Sequence, residues 1–177
     1  MNSYGGKELA NAFRTVRGNT IKIAADIPAE RYDFCAAPGT LTVGQLLAHI
    51  AYGSRIAEDM HRVKHISGFD GYDFPALMAT IGEAEAKLTT KEQILAALES
   101  EGQRFSSWLA SLTDAFLAER VENFDKSGSR SRLEMLLSPK EHEMHHRGQL
   151  MLIQRILGIV PHLTRERLAR ATAPATR

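Results

Sequence analysis

The sequence predicts an all-α four-helix bundle, and three observations predict it. Four segments of roughly twenty residues carry apolar side chains at helical spacing. Capping signals and prolines or glycines separate these segments, and no internal repeat or strand-like alternation interrupts them. With 177 residues the chain is long enough for one domain with a sizeable core. That domain is expected over residues 1–160, with a C-terminal tail over 161–177.

The first helix is expected from about Gly6 to Ile27. Leu9, Phe13, Val16, Thr20, Ile23 and Ile27 form one stripe there, at alternating steps of four and three. Pro28 ends it, and Ala29 to Leu41, with Pro38-Gly39, reads as a loop. The second helix opens at Thr42, where Thr42 and Gln45 can satisfy each other's backbone donors. It is expected to reach about Ile66, with Leu46, His49, Ile50, Gly53, Ile56 and Met60 along one face, before Ser67-Gly68 stops it. Phe69 to Glu85 is a long excursion holding a short helix near Pro75 to Ile81. Connections of that length often cover a site or form an oligomer contact.

Thr90 and Gln93 repeat the capping signature and start a third helix, to about Leu112. Its stripe is Ile94, Leu98, Phe105, Trp108 or Leu109, and Leu112. The mostly polar stretch from Glu119 to Arg130 reads as a surface connection. A fourth helix covers Pro139 to Leu157. It can start at Ser138 with Pro139 in its first turn. The apolar run Leu133, Leu136, Leu137 favours an earlier start near Ser131, with Pro139 as a kink. Gly158 and Pro161 end it, and the last residues read as frayed.

A formal net charge of +1 supplies no strong field for nucleic acid or an anionic membrane. Arg165, Arg167, Arg170 and Arg177 read as a solvated tail. Cys35 is the only cysteine, so no intramolecular disulfide forms, and its neighbours Phe34 and Ala36 offer no cation to activate it. An inert, partly buried thiol is expected. With no secretory segment and no apolar stretch of spanning length, the expected location is the cytoplasm.

The chemistry concentrates in the histidines. His142 and His146 lie four residues apart, so on a helix both imidazoles share one face. His142, His146, Gln149, Leu150, Ile153 and Leu157 form a single stripe, which turns the two histidines into the bundle. His49 occupies the inward stripe of the second helix. Burying three unpaired imidazoles is costly, whereas a shared divalent metal satisfies them. Three neutral imidazoles suit Zn, Ni, Cu or Fe(II) and leave positions open for a reactant. His145, Gln149 and Arg147 are candidates to support the ligands. His61 and His65 repeat the i, i+4 spacing but stand roughly 18–24 Å along the helix from His49, too far to share its metal. Favourable charge at a helix C-terminus is their expected role. His162 is expected to be solvated.

His142 to His146 also spell H-E-x-x-H, the short pattern of zinc peptidases, with Glu143 as base and Glu166 as a third ligand. Against this, no strand precedes the motif to align a peptide, and Gly158 and Pro161 break the chain before Glu166. It would also leave His49 unexplained.

Thr42-Val43-Gly44-Gln45-Leu46-Leu47-Ala48-His49-Ile50, joined with His142-Glu143-Met144-His145-His146-Arg147-Gly148-Gln149-Leu150, resembles the DinB/YfiT-like family of metal-dependent enzymes. That family is unrelated to the lesion-bypass polymerase sharing the name. The resemblance extends from about residue 5 to residue 160. It implies a four-helix bundle, commonly homodimeric, with a divalent metal (Zn, Ni or Fe) on His49, His142 and His146. The family often has a further polar residue one turn before the paired histidines, where this chain has Ser138-Pro139. Similar proteins include S-transferases using mycothiol or bacillithiol and a glutathione- or mycothiol-dependent isomerase. The resemblance therefore implies a small-molecule substrate, acted on by a thiol-dependent S-transferase or a hydrolase. Arg55 or Arg147 would receive a thiol's carboxylates, and Glu143 or Glu58 would assist proton transfer in a hydrolase. The alternative is a non-enzymatic, metal-binding dimeric bundle linked to stress.

Overall fold

Every residue of the first predicted stripe is buried. In the computed structural model, which describes residues 4–172, α1 spans Gly6–Asp26 and α5 spans Lys91–Ala110. The remaining long elements of the bundle are α2 (Val43–Tyr52) and α8 (Ser138–Ile156). α1 packs along α5 and α8, and α2 packs against α5 and α8. Both predicted capping boxes form: Thr42 with Gln45 opens α2, and Thr90 with Gln93 opens α5.

The core divides into two apolar clusters. One gathers Ile23, Leu47, Ile50, Leu98, Leu150 and Ile153, and the other gathers Leu9, Phe13, Phe105, Leu109 and Leu136. Between them along the helices lies a polar layer centred on buried Arg17. Its Nε lies 3.0 Å from both Glu143 carboxylate oxygens, Nη1 donates to the Leu98 carbonyl and Nη2 to the Ile50 carbonyl. One guanidinium thus ties α1 to α8, α5 and α2, each of its three nitrogens donating to a protein acceptor. Gly102 makes room for it, because a Cβ there would lie 2.8 Å from Arg17 Cγ.

The second helix departs from expectation. It is interrupted at Gly53, resumes as α3 (Ser54–Glu58) and widens into a π-helical turn over Asp59–Val63. His65 follows in the left-handed region, with φ 45°. The excursion is more helical than its sequence suggests. α4 covers Phe74–Ala86, starts from Asp73 accepting the Ala76 N–H, and packs on α2.

Beyond α6 (Asp114–Ala118), the expected surface connection holds a small hairpin. β1 (Arg120–Glu122) pairs antiparallel with β2 (Ser129–Ser131). Three-residue strands are too short to leave a readable alternation. α7 (Arg132–Leu136) starts from a Ser131–Glu134 capping box, and Leu137 keeps helical dihedrals into α8. The helical path therefore begins near Ser131, and Pro139 interrupts its hydrogen bonding without ending it.

The segment expected to fray folds as α9 (His162–Thr172) and docks on α1. Arg165 pairs with Asp26 at 2.7 Å, and His162 Nε2 meets Asn19 Oδ1 at 3.2 Å. His162 is accordingly buried, not solvated, and burial lowers its pKa. Arg177 lies outside the described residues. Cys35 also departs from the partly buried setting expected of it. It is exposed, and its thiol donates to the Ala37 carbonyl at 2.9 Å.

Candidate metal centre

α2 brings His49 and α8 brings His142 and His146 to the level of the polar layer. The i, i+4 spacing on α8 faces both imidazoles toward α2. Gly53 permits the approach, since a Cβ there would lie 3.2 Å from His142 Nδ1 and Cε1. His142 Nε2 lies 3.1 Å from His49 Nε2 and 3.1 Å from His146 Nε2. All three ligand atoms lie within 4.8 Å of one another. Two nitrogens bound tetrahedrally at ~2.05 Å would stand about 3.3 Å apart, so the cluster has the dimensions of a single-ion site.

The outer nitrogens settle which lone pairs face inward. His49 Nδ1 lies 3.2 Å from Glu85 Oε1. An ionised carboxylate only accepts, so the proton belongs on Nδ1 and the Nε2 lone pair points into the cluster. His146 Nδ1 donates to Gln149 Oε1 at 2.8 Å, with the same result. Gln149 Nε2 in turn donates to His145 Nε2 at 3.3 Å. His49 and His146 thus aim lone pairs at one spot. A single proton on His142 Nε2 cannot satisfy both, whereas a cation can. Burial, helped by neighbouring imidazoles, pushes His142 down to about 4 and lowers His146 as well. Both shifts favour the neutral ring, the form that binds metals.

Cavities open on both sides. One, of about 230 Å³, is lined by Ile56, Met60, Phe69, Met135, Arg130 and His142. The other, of about 370 Å³, is lined chiefly by apolar side chains with His146 and Gln149.

Of the supporting residues anticipated, Gln149 and His145 join the cluster, while Arg147 makes no hydrogen bond to a clustered histidine among the described residues. Arg147 acts instead on Glu143, four residues earlier. Glu85 was not anticipated. It lies thirty-six residues from His49 in the excursion, and its only sequence signal was the excursion's length. Glu143, on a different face of α8, is buried against Arg17. Burial raises its pKa against the pull of Arg17. Glu166 pairs with Lys22 at 3.2 Å on the outside of α1, so the peptidase arrangement does not form. Glu58 is buried and bonded to Arg62 and Arg104, and Arg55 is clasped by Glu101 while stacked on Tyr52. Neither side chain is free to act at the histidines.

His61, expected to carry charge at a helix end, is fully buried instead. Arg132 Nη1 donates to its Nδ1 at 2.9 Å. His65, exposed, meets Glu119 at 2.8 Å. Among the described residues no helix is long and apolar enough to cross a membrane.

The family model described as the DinB superfamily matches residues 12–150. Among solved structures, this chain is similar to YfiT from Bacillus subtilis, described as a probable metal-dependent hydrolase with an unusual four-helix bundle topology. The TM-score is 0.66 at 16% identity, covering 90% of this chain and 91% of that one. At that identity the likeness establishes the fold. No curated protein matches the sequence. With the family model spanning most of the bundle, the chain belongs to the DinB superfamily.

Proposed function

We propose that the protein is a metal-dependent hydrolase of small molecules, with one divalent ion held by His49, His142 and His146. The observation that carries this reading is the convergence of three Nε2 atoms, two of whose rings are already anchored through Nδ1 by Glu85 and Gln149. Three protein ligands leave a tetrahedral ion one position for a reactant, whereas a structural zinc takes four. The neutral donor set suits Zn, Ni or Fe(II). A dipositive ion there would acidify water and polarise a carbonyl group.

The chain's own residues do the rest. Glu85 and Gln149 fix the tautomers of His49 and His146, and burial favours the unprotonated form of His142 and His146. The apolar walls from Met60, Phe69 and Met135 limit competing water around the substrate. Glu143 and Glu58 are held by arginines and supply no general base. The net reaction adds water's hydroxyl to a carbonyl carbon and its hydrogen to the departing oxygen or nitrogen. An ester yields an acid and an alcohol, and an amide yields an acid and an amine. The description of YfiT as a probable metal-dependent hydrolase supports this class.

A second reading, thiol-dependent S-transfer, is favoured by the presence of cavities on both sides of the histidines. A thiol on one side and an electrophile on the other would exchange so that the sulfur–carbon bond replaces the leaving group and the thiol proton departs with it.

The test is metal content of tag-free protein, followed by turnover. His49→Ala, His142→Ala and His146→Ala are expected to lose the metal, while Glu166→Ala keeps it. Retention by His49→Ala with loss in Glu166→Ala would reverse the assignment toward a peptidase-like site. Chromogenic esters and anilides then report hydrolysis, and a thiol with a chloronitroaromatic electrophile reports transfer. Bound metal with no rate above background in either assay points to a non-enzymatic bundle.

A further inference from the structure

The 230 Å³ cavity beside His142 is apolar on most of its wall, through Ile56, Met60, Phe69 and Met135. Its cation is Arg130, in the middle of β2. Arg130 is paired across the hairpin with Val121, which is fully buried. Directly opposed residues project on the same face of a ribbon. The hairpin therefore turns Arg130 toward the bundle and over the cavity, although its side chain stays solvent-accessible.

Arg130 is one of several arginines without a carboxylate partner among the described residues, and it is the one that lines this cavity. Arg17, Arg55, Arg104 and Arg132 each meet a carboxylate. Arg130 forms no such ion pair among the described residues, and its Nε donates only to the Asn123 side-chain oxygen at 3.2 Å. Its two terminal nitrogens have no acceptor among the described residues. The nearby hairpin acids are otherwise engaged. Asp125 accepts from Ser127, while Glu134 accepts from Ser131 and pairs with Arg120. An open guanidinium fork matches the two oxygens of one carboxylate, whereas an isolated phosphate commonly draws several cations.

We infer that this cavity binds a compact carboxylate with an apolar body, whose carboxylate pairs with Arg130 while the body packs on Met60, Phe69 and Met135. Its volume of about 230 Å³ has room for a short acyl chain. The inference deepens the hydrolase reading by naming a substrate class, and rests on that reading for which bond reacts. A small amide or ester bearing a distal carboxylate would be anchored at the hairpin, with its carbonyl in the cavity that His142 lines.

The test titrates hexanoate and its neutral counterpart hexanamide into full-length, zinc-loaded protein carrying ¹³C-methyl methionine. The Met60 and Met135 methyl resonances are expected to shift, with Met151 unmoved. Hexanoate should bind about tenfold or more tightly than hexanamide, as a charge-assisted pair provides. Arg130→Gln should bring the two within about twofold, and Arg130→Lys should restore part of the preference. Any pairing of carboxylate with zinc is common to wild type and variant, so their difference isolates Arg130. Equal binding of the two probes to wild type, or an undiminished preference in Arg130→Gln, overturns the inference. If the protein takes up none of zinc, nickel or iron(II), the hydrolase reading fails by itself. The same titration of the metal-free full chain then decides the Arg130 site by the same two outcomes.

Discussion

His142 and His146 stand four residues apart, and so do His61 and His65, yet the two pairs end in opposite environments. On α8 the spacing survives, because the helix is regular through both positions and a third imidazole meets them from α2. The other pair straddles the end of the π-helical turn, and His65 leaves the helix in a left-handed conformation. His61 then faces Arg132, a buried guanidinium that also donates to Glu119 and the Ile66 carbonyl and stacks on Phe116. Because arginine only donates, His61 Nδ1 accepts, and its buried Nε2 has no partner among the described residues. A fixed positive charge at that ring opposes a dication. Spacing alone therefore does not make a metal site; a third converging lone pair and the absence of a competing cation do.

That contrast can be broken most forcefully at Arg132. Replacing it with leucine leaves the His61 nitrogen and the Ile66 carbonyl without their donor, at roughly 1–3 kcal/mol for each buried group. Denaturant unfolding should show a loss of several kcal/mol while bound metal per chain stays unchanged. A fall in metal content in the folded variant would mean the two clusters are coupled.

A smaller effect is expected from pH. Burial and the Arg132 guanidinium push His61 down to about 4 from an ordinary 6.5. Below pH 6.5 the unfolded chain takes up a proton that the folded chain refuses until about pH 4. The contribution of His61 to stability is therefore complete above pH 6.5 and drains away as pH falls through that window. At ~1.4 kcal/mol per unit its ceiling is roughly 3 kcal/mol. His61→Gln should flatten the decline in unfolding free energy between pH 7 and pH 4.5. An equally steep decline in the variant would place its source elsewhere.

The smallest change is at Glu85. Glu85→Gln can still accept from His49 Nδ1 but loses the charge that strengthens the ligand. Metal affinity should weaken about tenfold, measured by competition with a chromophoric chelator, with unfolding hardly altered. Affinity equal to wild type would leave Glu85 without a positioning role.

The helices on which the histidines ride were legible because helix periodicity is local. Leu9 through Ile27, the Thr42 and Thr90 boxes and the inward face of His142 and His146 all follow from spacings of three and four. The three-residue strands escaped for want of length, and α9 escaped because its docking depends on Asn19, Lys22 and Asp26, far away in the chain.

The sequence by itself determined which faces turn inward, and hence that His49, His142 and His146 point into one bundle. Only the tertiary structure decided that Glu85 anchors His49, that Glu143 belongs to Arg17, that Arg132 takes His61, and that Arg130 is left open beside the cavity. Apolar burial is encoded in short periodic patterns, whereas the partner of a polar side chain depends on which distant element packs against it.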